Sequence, residues 1–463
     1  MSIPLVLIHG YSDSATSFKD WSDVLIQKKS LDPSRVHVIN YATLANEITI
    51  GDIAEGLDRA LTNEARIAPT EEFDVIVHST GMLVIRAWLT RYASIDSKQD
   101  QARTRRLRHL IALAPATNGS PVAHKGRSWL GALFKGNRDL GSDFLESGTE
   151  VLSALELGSR FTWDLAEKDL FGTGNTSRFK KGFTSPFVFT ICGDSGLGKL
   201  ADIATGAVGT KIRGSDGVVR WAGAALNSRL LSIDYTGSQD AKISASEWNN
   251  QDNTLILWPG LNHGSIMRPK ITDPLVQLVS NALDVQSDKE FIEWIKNAKK
   301  SASDARGSST EPHRWQQFVI RVSDERGDGV ADWTISLQIK RKTMSKAEPL
   351  LIDDLHPYER DKSYRCLHVN LSEYGLFSDL SNIESLSMKL TMNTSSDYLL
   401  YVAHRKEQAK SSRKVERGLS ELTVDLSDYI NSGKGKFNLL MPYTTTFVEF
   451  KVNRDPSCLT TIR

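Results

Sequence analysis

Hydrophobic positions in the first 300 residues fall into short runs set apart by longer, more polar stretches. Pro4 to Ile8, Val36 to Tyr41, Phe73 to Val77, His109 to Leu113, Phe187 to Cys192 and Thr254 to Trp258 each read as a buried strand. The stretches between them carry helical spacing, so this part predicts an α/β unit with a mostly parallel sheet and helices on both faces. Pro274 to Lys300 is amphipathic and reads as one or two closing helices. Ser301 to Pro312, "SASDARGSSTEP", is small, polar and broken by Gly and Pro, and reads as a linker. After it the period shifts toward two, in "QQFVIRV", "WTISLQIK", "SMKLTM", "LLYVAH" and "FVEFKV". Residues 313–463 are therefore expected to form an all-β sandwich behind the α/β domain of residues 1–300.

The 463 residues suit two or three domains, each with its own core. A formal net charge of +1 offers no field for nucleic acid or an anionic membrane. The basic run Arg103 to His109 reads as a solvated segment before a strand. No apolar stretch nears the roughly 20 residues that span a bilayer. Met1 to Pro4 shows neither a basic n-region nor a cleavage site, so a cytoplasmic location is expected. Three widely spaced cysteines, Cys192, Cys366 and Cys458, argue against a disulfide framework and a CxxC site. No residue cluster has metal-ligand spacing and no Gly-rich phosphate loop occurs, so neither metal nor cofactor is expected. The acidic turn residues Asp324, Asp328, Asp353 and Asp354 admit calcium, although such turns commonly carry none.

The chemistry centres on "FDVIVHSTGMLVIRAWL", Phe73 to Leu89. Only His78-Ser79-Thr80-Gly81 separates strand from helix, which puts Ser79 at the apex of a sharp reversal. A nucleophilic hydroxyl needs such a position, projecting from the backbone and within reach of a base. Gly81 fits the G-x-S-x-G elbow, while Val77 occupies the place of the first glycine. The alternative role for Ser79 is a helix N-cap. The strand of "LVLIHGYSDSATSF", Leu5 to Phe18, ends in a loop whose Tyr11 N–H, with that of Thr80, suits an oxyanion hole. His9 is read as a structural residue holding that loop. His263, a few residues past the strand Thr254 to Trp258, is the base candidate. His109 begins a strand away from the active edge, and His124 precedes the candidate acids. Asp216 in "IRGSDGVVRWAGA" and Asp194 in "TICGDSG" compete as the acid, and the flanking Gly-Val-Val favours Asp216.

Taken in order, "LVLIHGYSDS", "VHSTG", "GSDGVV" and "NHGSI" resemble the α/β-hydrolase superfamily, and within it bacterial lipases and serine esterases, over about residues 1 to 300. The resemblance implies Ser79 as nucleophile, His263 as general base and then acid, Asp216 as orienting acid, and Tyr11 with Thr80 as oxyanion donors. It also implies that the long insertion at about 118–186 is a lid. There Trp129, Leu130, Leu133, Phe134, Leu152, Leu155, Phe161 and Trp163 would line an acyl pocket, or else form the core of a helical subdomain. The expected function is a serine hydrolase of carboxylic esters, lipid or phospholipid acyl esters in the first place. A small-molecule or acyl-protein esterase, or a silent scaffold binding a partner through its sandwich, is the alternative. The C-terminal domain would supply any peripheral contact with a lipid surface or a protein.

Overall fold

The computed structural model describes residues 3–456 apart from 12–14, 42, 93–97, 124–147, 172–178, 180–185, 197–211, 247–253, 377–379, 395–398, 405–418 and 431–437. The chain forms two compact units, residues 1–227 with 248–312, and residues 228–247 with 313–463.

The first unit opens with β1 (Leu5–Ile8) and β2 (Val36–Ile39), followed by β3 (Phe73–His78), β4 (Leu107–Leu113) and β5 (Phe187–Gly193). The chain then leaves for the second unit as β6 (Ser228–Asp234) and β7 (Lys242–Ala245), and returns as β8 (Leu255–Trp258). The first sheet runs β2-β1-β3-β4-β5-β8 and is parallel throughout. Strands β1 and β3 are buried at every position, as a sheet covered on both faces requires. Leu5, Leu7, Ile76, Ile111, Phe189 and Ile256 share a core with Trp21 and Leu25 of α1 (Lys19–Lys29) and with the closing helices. Helix α2 (Ile50–Asn63) begins in a capping box between Thr49 and Asp52, and buries Ile50, Ile53, Ala54, Leu57 and Leu61 on one stripe. It packs beside α3 (Gly81–Arg91).

Strand order reverses at β1, since β2 lies on one side of it and β3 on the other. In an open parallel sheet the loops leaving the strand ends diverge at such a point, and the crevice between them is where ligands bind. The loop after β1 and the turn after β3 therefore meet at one place.

The closing segment is two helices, Pro274–Ala282 and Asp288–Arg306. The second takes in Ser301 to Arg306, which composition had assigned to a linker. Ala298, Ala302 and Arg306 are all buried, at a spacing of one turn, and Arg306 donates to Leu257 O at 3.0 Å and pairs with Asp194. Burial continues the helix where propensity alone is weak, and Gly307 (φ +60°) follows its end.

The second unit contains β9 (Trp315–Asp324), β10 (Trp333–Arg341), β11 (Glu348–Pro349), β12 (Ile352–Pro357), β13 (Tyr364–Asn370), β14 (Ile383–Asn393), β15 (Leu400–Val402), β16 (Leu419–Asp425) and β17 (Thr445–Asp455). One sheet runs β11-β10-β14-β16; the other runs β12-β13-β9-β17-β6-β7, with β15 on β17. Alternate residues from both, among them Phe318, Ile320, Leu337, Leu367, Met388, Leu390 and Val448, form one core, which makes the unit a sandwich. Strand β6, placed by the sequence reading in the first domain, pairs in parallel with β17 and contributes Leu231 and Ile233 to this core. Its assignment depends on a partner far along the chain, which local pattern does not record.

Among the described residues no helix is long and apolar enough to cross a membrane, and no group of three or more His, Cys, Asp or Glu is arranged to hold a metal. Asp324 Oδ1 instead accepts from Arg326 N and Asp328 N, each at 3.0 Å, and so builds its own turn.

Candidate active site

Ser79 follows the last residue of β3 and has φ +53°, in the left-handed region that a residue with a Cβ enters only under constraint. The constraint is visible in the hydrogen bonds. Ser79 N donates to Leu113 O at 3.2 Å, and Ser79 O accepts from Met82 N at 3.2 Å and Ala116 N at 3.1 Å. Gly81 must lack a side chain, because a Cβ there would lie 2.6 Å from Ile8 O and 3.0 Å from His9 O. The start of α3 thus rests directly on the end of β1. Val77 does not prevent the turn; it is buried in β3 between Ile8 of β1 and Ala112 of β4. The close approach is made by Gly10 instead, whose added Cβ would lie 2.9 Å from Ser79 Cβ and 3.5 Å from Ser79 Oγ.

That apposition puts the Gly10-Tyr11 peptide beside Ser79. Tyr11 and Thr80 are both buried, Thr80 at the N-terminus of α3, where amide N–H groups are unsatisfied by the helix. His9 orients the loop: its Nδ1–H donates to Gly10 O at 2.8 Å, and its Nε2 accepts from Tyr41 N at 3.3 Å. Its ring stacks on Tyr41 with centroids 4.1 Å apart, and the Tyr41 hydroxyl donates to His9 O. The structural role expected of His9 is the one it has. Tyr41 was read only as the end of a strand, and nothing local in the sequence signals its part.

His263 lies in the turn after β8 and is buried. Its Nδ1–H donates to Asp216 Oδ2 at 2.9 Å, which leaves Nε2 as the basic nitrogen. Asp216 is fully buried, and its Oδ1 accepts from Val218 N at 3.0 Å and Val219 N at 2.8 Å. Gly217 (φ +99°) turns the chain so that both amides face the carboxylate. The main chains are joined too, His263 N donating to Asp216 O at 3.1 Å. Asp194 is engaged elsewhere, accepting from Gly260 N at 2.9 Å and pairing with Arg306. The structure therefore brings Asp216, not Asp194, to His263.

The loop after β4 clamps the segment that carries Asp216. Thr117 Oγ1 donates to Ala224 O at 2.5 Å, Asn118 N to Gly223 O at 2.9 Å, and Ser120 Oγ to Val218 O at 2.6 Å. Helix α3 is anchored to the same loop through Arg86, which donates to Thr117 O at 2.5 Å and makes a two-pronged pair with Asp169 at 2.7 and 2.8 Å. Asp169 belongs to the helix Arg160–Asp169, which follows the helix Thr149–Leu155. In these helices Leu152, Leu155 and Trp163 are buried as core residues, while Phe161 is half-buried. Trp129, Leu130, Leu133 and Phe134 lie outside the described residues.

His78, to which the sequence assigns no role, is buried beside His263. Its Nε2–H donates to His263 O at 3.1 Å, and the two rings have centroids 4.7 Å apart. A histidine closing a strand immediately before Ser79 was the available signal. Burial above all, with His263 and His9 nearby, pushes its imidazole well below the ordinary 6.5. As pH falls through about 6.5 the unfolded chain takes up a proton at this position and the folded chain does not. Stability is therefore expected to fall below about pH 6.5, at up to about 1.4 kcal/mol per pH unit from this one ring. Half-buried His37, shifted the same way by burial, adds to the loss. Urea midpoints between about pH 5.5 and 7.5 test this. His78→Gln is expected to flatten the slope, and equal slopes in the two proteins would contradict it. Burial, and then Asp216, push the thiol of Cys192 well up by the same physics.

The parallel sheet, the serine reversal after β3, and Asp216 and His263 presented after later strands define an α/β-hydrolase fold, accompanied here by further β-sheets in the C-terminal region. Among solved structures, phospholipase PlaB from Legionella pneumophila is similar over the whole chain, with TM-score 0.76 and 20% identity, covering 100% of this chain and 96% of PlaB. The complex of that phospholipase with thio-NAD matches with TM-score 0.75 at the same identity and coverage. No protein-family model and no curated protein sequence matches this chain.

Proposed function

We propose that this chain is a serine hydrolase that cleaves carboxylic esters, with lipid or phospholipid acyl esters as the substrate class, through an acyl-enzyme on Ser79. The observation that carries the reading is the buried bond from His263 Nδ1 to Asp216 Oδ2, made by a histidine whose carbonyl is held by the neighbour of Ser79. In this mechanism His263 Nε2 takes the Ser79 proton as Oγ attacks the ester carbonyl. The N–H groups of Tyr11 and Thr80 receive the oxyanion, and His263 returns the proton to the leaving alcohol. Water, deprotonated by His263, then attacks the acyl-enzyme, and His263 returns that proton to Ser79 Oγ as the acid is released. Asp216 holds the tautomer and stabilises the imidazolium without accepting the proton.

The whole-length likeness to a structure named a phospholipase supports the lipid-ester preference. On this reading the insertion at 118–186 is the lid and acyl pocket, with Trp129, Leu130, Leu133 and Phe134 along it. The 313–463 sandwich serves peripheral contact with a lipid surface or a protein. Hydrolysis of p-nitrophenyl esters from acetyl to palmitoyl is expected to peak at medium or long chains, with a fluorophosphonate probe labelling Ser79. Activity confined to acetyl esters would replace the lipid reading by a small-molecule esterase. A folded protein that neither hydrolyses nor labels would leave a silent scaffold.

A further inference from the structure

We propose that His78 is a positioning residue for the general base, tying the main chain of His263 directly to the residue that precedes the nucleophile. The proposal rests on the serine-hydrolase reading of Ser79 and His263.

His263 occupies a short turn between Gly260 (φ +74°) and the 3-10 turn Ser265–Met267. On its C-terminal side the turn is closed by Asn262, whose Oδ1 accepts from Gly264 N at 3.1 Å and Ser265 N at 2.9 Å. The ring and amide of His263 are held by Asp216, at 2.9 and 3.1 Å. Both of those bonds run to the acid loop and neither reaches the nucleophile. The bond from His78 Nε2 to His263 O is of another kind, because His78 and Ser79 are consecutive and move as one piece. It sets the separation of base and nucleophile independently of Asp216. Ser79 is itself fixed by three main-chain bonds, so the donor on His78 is presented from a rigid point.

The chemistry of the donor also fits. His263 becomes an imidazolium in each proton transfer, and a cation 4.7 Å away would oppose it. His78 supplies a hydrogen bond without a charge, as the Nε2–H tautomer. Its Nδ1 is buried against Gly10, where an added Cβ would lie 3.3 Å away, and has no hydrogen-bond partner among the described residues.

The test uses the full chain and four variants: Ser79→Ala, His78→Leu, His78→Gln and His78→Asn. Glutamine places its Nε2–H as many bonds from the main chain as histidine does, whereas asparagine is one carbon short. Expected for His78→Leu is a fall in kcat of about 10- to 100-fold with KM changed less than about threefold, as misplacement near 1 Å produces. His78→Gln is expected to retain kcat within about threefold, and His78→Asn to fall with leucine. Should His78→Leu fail to fold, the glutamine and asparagine pair decides: a higher kcat in glutamine supports the proposal and equal kcat overturns it. Equal losses in leucine and glutamine, or none in either, also overturn it. An inactive, unlabelled wild type sinks the serine-hydrolase reading and this proposal together. An active wild type that loses activity in Ser79→Ala, with kcat unchanged in His78→Leu, sinks this proposal alone.

Discussion

Replacing Ser79 by alanine is expected to lower kcat by roughly 10⁶-fold, to the level that an oxyanion hole and binding sustain without a nucleophile. The fold should survive, because the bonds that hold Ser79 at φ +53° are made by its main chain. Asp216→Asn is expected to cost roughly 10⁴-fold, since an amide no longer selects the tautomer with Nε2 free of its proton. Asp194→Asn serves as the internal comparison. Its carboxylate answers Gly260 N and Arg306, so its loss should lower stability while leaving kcat nearly unchanged. Steady-state hydrolysis of one p-nitrophenyl ester by the three variants, with thermal melts alongside, separates these roles. If Asp194→Asn lost as much kcat as Asp216→Asn, the assignment of the acid would be wrong.

The second large effect is on stability. Arg86 and Asp169 form an ion pair with both side chains almost wholly buried, 0% and 1% exposed. Removing one partner strands the other without water, and Arg86→Met is expected to cost about 3–5 kcal/mol. At about 2–4 °C per kcal/mol for a large domain, the melting temperature should drop by roughly 6–20 °C. The double variant Arg86→Met with Asp169→Leu should recover much of this, because two apolar side chains need no mutual charge. Recovery should be incomplete, since Thr117 O loses the donor it has in Arg86. A single variant within about 1 kcal/mol of wild type would show that the pair is solvated. The pair joins α3 to the helix Arg160–Asp169, so its loss is also expected to loosen the support behind Ser79.

Much of the site was legible because each element announces itself locally. The apolar run Phe73 to Val77, four residues of turn and an apolar helix put Ser79 at a strand-to-helix reversal, where the structure has it, and the order Ser, Asp, His along the chain singled out His263, whose ring meets Asp216. Val77, in the place of the first glycine, is no obstacle, because the reversal does not depend on its own five residues alone. Its close packing is supplied by Gly10, from a strand far away in sequence, and by Gly81 against Ile8 O. The linker reading of Ser301 to Arg306 rested on local residues too. Small polar residues resemble a linker, and only the buried faces of Ala302 and Arg306 reveal a helix.

What the sequence by itself determined is the alternation of strands and helices in the first 300 residues, the change to period two after residue 313, and the candidates for nucleophile and base. These are properties of neighbours at spacings of two to four residues, and burial imprints them directly on composition. Only the tertiary structure decided which aspartate meets His263, that β6 and β7 pair in the second unit's sheet, and that the His78 ring meets the main chain of His263. Those facts concern segments brought together by folding, such as His78 and His263, 185 residues apart. No local periodicity encodes such a pairing, because it depends on the path of every loop between.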